Sequence, residues 1–306
     1  MDKGKVLLSG SSGLVGTALS ELLTAEGYQV GRLLRSEQAG QPYWNIQQHY
    51  LELKEFENPD VIIHLAGENI GDGRWTNDKK KKLLESRTLS TQLLVDHFKK
   101  AQPAPKLFIC ASAIGFYGNR GDQKLDENSA AGTDFVSQLA SDWEESSQGI
   151  KEAGTRLVNL RTGIVISKKG GALAKMLPAF KLGLGGKIGS GKQIMSWIDI
   201  NDMLRAILFV IENNNIQGPV NLVSPNPVTN QVFSQLLAKQ LNRPCIFPLP
   251  EVLVKLLFAQ MGKELLLSST RVLPEKLLDA GFAFKYGKLE ESFCSSLGVG
   301  ENKLCT

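Results

Sequence analysis

The segment that most restricts what this chain can fold into lies at its start, where the apolar run Val6–Leu8 meets SGSSGLVG. Gly10, Gly13 and Gly16 recur three residues apart. Leu14, Val15, Ala18, Leu19, Leu22 and Leu23 then follow at helical spacing until Gly27. A buried strand that turns at once into a helix needs residues without side chains at defined places. The first glycine permits the tight turn, the second lets the backbone approach a pyrophosphate, and the third lets helix and strand pack closely. The helix N-terminus offers free N–H groups and partial positive charge to phosphates. Glycine spacing alone is common; the strand before it and the helix after it give it meaning. Gly10, Ser12, Gly13, Leu14, Val15 and Gly16 are therefore the expected phosphate-binding residues.

The same alternation continues. Tyr28–Leu34, Val61–Ala66, Leu107–Ala111 and Arg156–Ile166 read as strands, with helices near Asn77–Lys100 and Asp134–Ser147 between them. Strands alternating with helices of this length imply βαβ units and an α/β fold, a doubly wound parallel sheet of the Rossmann type. After Ser167 the pattern changes. The glycine-rich stretch 170–191 contains Pro178 and reads as helix fragments and loops. Asn201–Glu212 resumes as a helix and Pro219–Val223 as a strand. Beyond Pro225, two or three helices are broken by Pro244, Pro248, Pro250 and Pro274. The expected organisation is a dinucleotide-binding core over 1–167, to which 195–224 returns. A smaller helix-rich C-terminal lobe comprises 168–194 and 225–306.

The end of the second strand bears on the choice of dinucleotide. Binders of NAD place a carboxylate there for the ribose 2′-hydroxyl, but the sequence holds no Asp between Asp2 and Asp60 and has Arg32 and Arg35. A guanidinium can pair with a 2′-phosphate through two hydrogen bonds, so NADP(H) is expected ahead of NAD(H). Arg35, directly after the strand, is the preferred contact; the alternative is a solvent-facing loop arginine.

Composition narrows the classes further. The chain has 306 residues, 42% of them hydrophobic and 22% charged, with formal net charge +4, which suits a globular protein without a nucleic-acid partner. No pair among Cys110, Cys245, Cys294 and Cys305 has metal-ligand or redox spacing, so reduced thiols and no metal site are expected. No apolar signal core and no long apolar run occurs, so a cytoplasmic protein without a membrane partner is expected, as monomer or homodimer. The run Lys79–Lys82 lies between Asp78 and Glu85 on a helix and reads as a solvated face. GKIGSGK at 186–192 has phosphate-loop spacing, but Gln193 stands where Ser or Thr should hold magnesium and no strand precedes it, so ATP binding is not expected.

GSSGLVG, HLAGENIGDGRW, ESRTLSTQLL, ASAIGFYG, DWEE, LRTGIVIS, MLPAFKLGLGGKIGSGKQIMSWIDINDM and PVNLVSPNPVTN together resemble the YfcH-like (SulA-like) epimerase family. That family is an atypical branch of the extended short-chain dehydrogenase/reductase superfamily, and the resemblance spans nearly the whole chain. It implies NADP(H) as cofactor and a C-terminal lobe of the nucleotide-sugar epimerase type. Carried over by position, Leu65, Ala66 and Gly67 lie beside the adenosine, Arg87 reaches the cofactor, and Ile164 and Val165 contact its nicotinamide side. Plain strand core is the alternative for Leu65, Ala66, Ile164 and Val165.

The superfamily's chemistry uses a serine, a tyrosine and a lysine four residues later, the lysine lowering the tyrosine pKa for proton exchange. Ser112 matches the serine. The helix that should carry the other two reads DFVSQLASDWEESS, which puts Phe135 or Val136 at the tyrosine position and Leu139 or Ala140 at the lysine position. Those residues and Trp143 form one apolar stripe. Tyr117 is the nearest phenol in sequence and joins Ser112 as a catalytic candidate; a partly buried structural tyrosine is the alternative. His64, in a strand, reads as a core residue. Two functions remain. One is an NADP-dependent oxidoreductase or epimerase acting on an unknown small molecule. The other is a non-catalytic dinucleotide-binding sensor or scaffold linked to cell division or envelope processes.

Overall fold

Successive residues of a strand face opposite sides of the sheet, and the first strand, Lys5–Ser9, uses both. Val6 and Leu8 enter one core cluster, with Leu19 and Leu23 of the helix Leu14–Ala25 and Met203, Ala206, Ile207 and Val210 of the helix Ile200–Glu212. Leu7 enters the cluster on the other face, with Leu93, Leu94 and Phe98 of the helix Asn77–Phe98 and Trp143 of the helix Phe135–Ser146. Each such fully buried side chain stabilises the fold by about 1.5–3 kcal/mol.

The protein is a computed structural model in which residues 3–298 are described. Six parallel strands lie in the order Gly218–Leu222, Arg156–Thr162, Leu107–Ala113, Val61–His64, Lys5–Ser9, Gln29–Leu33. The chain reverses its direction of travel across the sheet at Lys5–Ser9. In such folds ligands bind outside the carboxyl ends of the strands at that point. A hairpin of Tyr43–Asn45 and Tyr50–Glu52 extends the edge, since Leu34 bridges Tyr43 and its carbonyl accepts from Trp44 N–H at 2.9 Å. Trp44 is buried there.

Two expectations change. Arg156–Ile166 is two strands rather than one: Arg156–Thr162 stays in the main sheet, and Ile164–Ile166 pairs with Trp197–Asp199. The break is at Gly163, where a Cβ would meet Ser196 O and Val223 Cγ1, each at 2.8 Å. The glycine-rich stretch contains one regular helix, Gly171–Lys181, with Pro178 inside it. Its Leu173, Leu177 and Phe180 join Trp197, Phe233, Leu237, Leu289 and Phe293 in a third core cluster.

The later chain does not stand off from the sheet. Arg271–Val272 pairs in parallel with Lys124–Leu125, and Arg120 N–H donates to Ser269 O at 2.9 Å. Residues 269–272 are thereby laced onto the turn that follows strand Leu107–Ala113. Cys110 and Cys245 are free thiols, but Cys294 is disulfide-bonded, so the expectation of reduced cysteines fails there. Positions 299–306, Cys305 included, lie outside the described residues. No described helix is long and apolar enough to cross a membrane.

Candidate functional site

Gly10 has φ +70°, a left-handed conformation, and a Cβ on it would meet the Leu65 carbonyl carbon at 2.7 Å and Ala66 N at 2.8 Å. The turn thus lies directly on the end of strand Val61–His64, possible only for glycine. Gly16 is packed against Gly10 O, so helix Leu14–Ala25 sits tight on the strand. Gly13 differs. Its φ is −79°, and the one atom near its missing Cβ is Gly10 O at 3.3 Å. Its outer side is open, Ser12 and Gly13 are exposed, and no side chain caps the helix there. The first N–H groups of a helix lack partners within it, so an uncapped turn beside open space is a cradle for an anion.

Other expected residues converge on this turn. Leu65 and Ala66 are partly exposed and Gly67 is exposed. On the far side, a Cβ on Gly171 would lie 3.7 Å from both Leu14 Cδ2 and Val165 O. Ile164 and Val165, both partly exposed, are thus joined to the glycine turn through the start of helix Gly171–Lys181.

Basic groups border the same opening. Arg32 reaches back to Ser11 O at 3.3 Å, and Arg35 is exposed beyond the strand end. Lys79 is not a solvated member of its run: it pairs with Glu68 at 2.6 Å. This hydrogen bond, with Lys82 and Arg35 nearby, holds the Glu68 carboxyl below its ordinary range. Lys175 donates to Gly71 O at 3.0 Å and pairs with Asp72, latching the loop after strand Val61–His64 to helix Gly171–Lys181.

Arg87 is buried beneath that loop. It donates to Leu83 O at 2.9 Å and Glu68 O at 3.0 Å, and its guanidinium lies 4.8 Å from the Trp143 ring centroid. It supports the loop from below, its side chain about 3.4 Å from where a Gly67 Cβ would stand. His64 is a satisfied core residue, held by Ser9 at 2.6 Å and Ser90 at 3.0 Å. Burial pushes its pKa down to about 3, so it stays neutral.

Ser112 and Tyr117 are brought together, but facing inward. Strand Leu107–Ala113 alternates at its end, with Ala111 and Ala113 partly exposed and Ser112 buried. The Ser112 hydroxyl donates to Glu144 Oε1 at 2.7 Å, and Glu144 is held by Arg161 through two bonds, 2.8 and 2.9 Å. The fully buried Tyr117 donates to Asn221 Oδ1 at 2.7 Å and accepts from Arg161 Nη1 at 3.0 Å. Burial, though opposed by the Arg161 charge, raises its pKa to about 12. Arg161 stacks on Phe116 with its carbon 3.5 Å from the ring centroid. A phenol this enclosed and this weakly acidic is a poor proton carrier near neutrality, so the burial of Ser112 and Tyr117 favours the structural alternative for this tyrosine over the catalytic one. Glu144 and Arg161, the members of this network that sequence reasoning passed over, lie in its DWEE and LRTG segments.

Residues 6–223 match the model of the NAD dependent epimerase/dehydratase family, and 249–294 match a domain of unknown function, DUF1731. The chain belongs to the NAD dependent epimerase/dehydratase family. Among similar proteins, the epimerase family protein Mb2239 of Mycobacterium bovis is 39% identical over 294 residues, covering 95% of this chain and 97% of the relative. The human epimerase family protein SDR39U1 is 34% identical over 288 residues, 93% of this chain and 97% of its own. A crystal structure of that human protein (isoform2) with NADPH superposes with TM-score 0.89 and 33% identity, covering 95% of this chain and 98% of the other. Thermus thermophilus UDP-glucose 4-epimerase in complex with NAD reaches TM-score 0.74 at 17% identity, a likeness of fold alone.

Proposed function

We propose that this chain is an NADP(H)-dependent oxidoreductase or epimerase acting on a small molecule, with a proton-transfer group other than the tyrosine–lysine pair. The observation that carries the reading is the open, uncapped glycine turn at the sheet's switch point, bordered by Arg32 and Arg35. The NADPH bound by the similar human protein supports it. In this reading Gly10, Ser12, Gly13, Leu14, Val15 and Gly16 hold the pyrophosphate, and Arg35, with Arg32 beside it, holds the 2′-phosphate. Leu65, Ala66 and Gly67 line the adenosine side, Arg87 keeps their loop in place, and Ile164 and Val165 line the nicotinamide side. The cofactor supplies a hydride acceptor or donor. The chain contributes orientation, a loop tethered by the Lys175–Asp72 pair, and a proton carrier. A cytoplasmic setting belongs to the same reading.

A charge-assisted contact is worth about 1.5–3 kcal/mol. Arg35→Ala is therefore expected to weaken NADP(H) binding roughly 10- to 150-fold while changing NAD(H) little, measured by fluorescence titration. Equal losses for both cofactors would place the 2′-phosphate elsewhere.

A second reading, a dinucleotide-binding sensor or scaffold without turnover, is favoured by one observation. Ser112 and Tyr117 are locked in a buried network, and Phe135, Val136, Leu139 and Ala140 carry no transferable proton. Under this second reading, the cofactor-loaded protein incubated with UDP-glucose or UDP-galactose should show no C4 epimerisation. A missing acid/base group removes a factor of about 10²–10⁴ in rate. Turnover above about one per second, an ordinary enzymatic rate, contradicts the sensor reading and requires a proton-transfer group outside the buried Ser112–Tyr117 network. NADPH oxidation by some small carbonyl compound would decide for the enzyme over the sensor.

A further inference from the structure

The segment laced onto the wall beside the crevice brings a carboxylate with it. Glu264, partly exposed, accepts from Val136 N–H at 3.1 Å through Oε2 and from Gln260 Nε2 at 2.7 Å through Oε1. Val136 belongs to the first turn of helix Phe135–Ser146 and packs on Gly115, in the turn that leaves the carboxyl end of strand Leu107–Ala113. The adjoining Phe135 lies against Trp75, ring centroids 5.2 Å apart, and Trp75 comes from the loop after strand Val61–His64. Arg74, in the same loop, donates to the carbonyls of Leu256 and Leu257. Glu264 therefore stands where three elements meet at the carboxyl edge of the sheet, on the side to which ligands bind in such folds.

Its surroundings distinguish it from the other acidic groups of that wall. Glu144 is buried and paired with Arg161, and Glu68 is paired with Lys79. Both partners of Glu264 are neutral amide donors, and no ion pair involves it among the described residues. It sits on a π-helical turn, Gly262–Leu266, a rare geometry frequent at functional sites. Five residues earlier Ala259 is held at φ 49°, ψ −128°, a conformation that persists only when its surroundings impose it.

We propose that Glu264 is the proton carrier of the reaction site, facing the nicotinamide end of the crevice in place of the tyrosine this chain lacks. The inference rests on the NADP(H)-dependent reading above. In the oxidative direction, a substrate alcohol passes its hydroxyl proton to the Glu264 carboxylate while its C–H electron pair leaves as hydride to NADP⁺. The C–O single bond becomes a carbonyl, NADP⁺ is reduced to NADPH, and the proton remains on Glu264. The reverse step returns both to a ketone or aldehyde. The substrate class is a secondary or primary alcohol and its carbonyl partner.

A carboxylate near the nicotinamide favours the positively charged oxidised ring over the neutral reduced one, which permits a test without knowing the substrate. NADP⁺ and NADPH are titrated separately against the full-length protein, its Glu264→Gln variant and its Glu264→Asp variant, with circular dichroism as the folding check. Glutamine still accepts the Val136 N–H bond, so a purely structural role leaves both affinities unchanged. The expected result is a loss of about tenfold for NADP⁺ in E264Q with NADPH within about twofold, the size of one partly screened charge pair, and retention of the preference in E264D. Unchanged affinities, or equal losses for both nucleotides, overturn the proposal while leaving the cofactor reading intact. Wild-type protein that binds neither nucleotide overturns both.

Discussion

Gly13→Val should yield a folded protein that no longer binds NADP(H). The two halves of this result have separate causes. The backbone at Gly13 has φ −79° and ψ 172°, values a valine adopts easily, and one protein atom, Gly10 O at 3.3 Å, lies near the added Cβ. The fold therefore has little reason to object. The side chain instead projects into the open space at the helix N-terminus where a pyrophosphate must touch the backbone. Several charge-assisted hydrogen bonds are lost together at about 1.5–3 kcal/mol each, so the affinity loss should exceed about a thousandfold. Gly10→Val would be uninformative, because its positive φ and contact with Leu65 make it a folding mutant. A Gly13→Val protein with native circular dichroism and normal NADPH affinity would show that the cofactor lies elsewhere.

The second large effect is on stability. Arg161 is buried, holds Glu144 through two short bonds, stacks on Phe116, and donates to Tyr117 and to Glu127 O. Removing one partner of a buried ion pair leaves an uncompensated charge and costs about 3–5 kcal/mol. Arg161→Ala is expected to lose an amount in that range, seen as a Tm fall on the order of 10 °C. The double variant Arg161→Met, Glu144→Leu removes the stranded carboxylate as well and should recover much of the loss, since replacing both members with apolar groups is often neutral. Thermal denaturation of the two variants separates these outcomes. A double variant as unstable as the single one would mean that Ser112 and Tyr117, rather than the charge, set the cost.

What could be read in the sequence follows from the range of the forces involved. The glycine turn was legible because strand, turn and helix are adjacent in the chain and each glycine has a local steric task. The four long inner strands were legible as apolar runs buried on both faces. The hairpin at Tyr43–Glu52 was not, since its three-residue strands are held by the bridge from Leu34 and the burial of Trp44. The split at Gly163 depends on Ser196 and Val223, far along the chain. Pro178 argued against a helix that Leu173, Leu177 and Phe180 nonetheless stabilise through the third core cluster.

The site shows the same division. The absence of tyrosine and lysine was visible in one apolar stripe. That Ser112 faces inward was not, because the direction depends on which side of the strand Glu144 and Arg161 occupy. Lys79 read as a solvated lysine until Glu68 was placed beside it. Glu264 carried no local signal at all; only the pairing of the C-terminal segment with Lys124–Leu125 and the 114–125 turn brings it to the crevice wall.

The central claim is that the open turn with Arg32 and Arg35 makes this an NADP(H)-binding protein. The most direct measurement is a pair of fluorescence titrations of the wild-type chain, one with NADPH and one with NADH, at the same moderate salt concentration. The account predicts saturable NADPH binding at least about tenfold tighter than NADH, the lower bound set by one charge-assisted contact to the 2′-phosphate. Equal affinity for the two, or binding of neither, would contradict it.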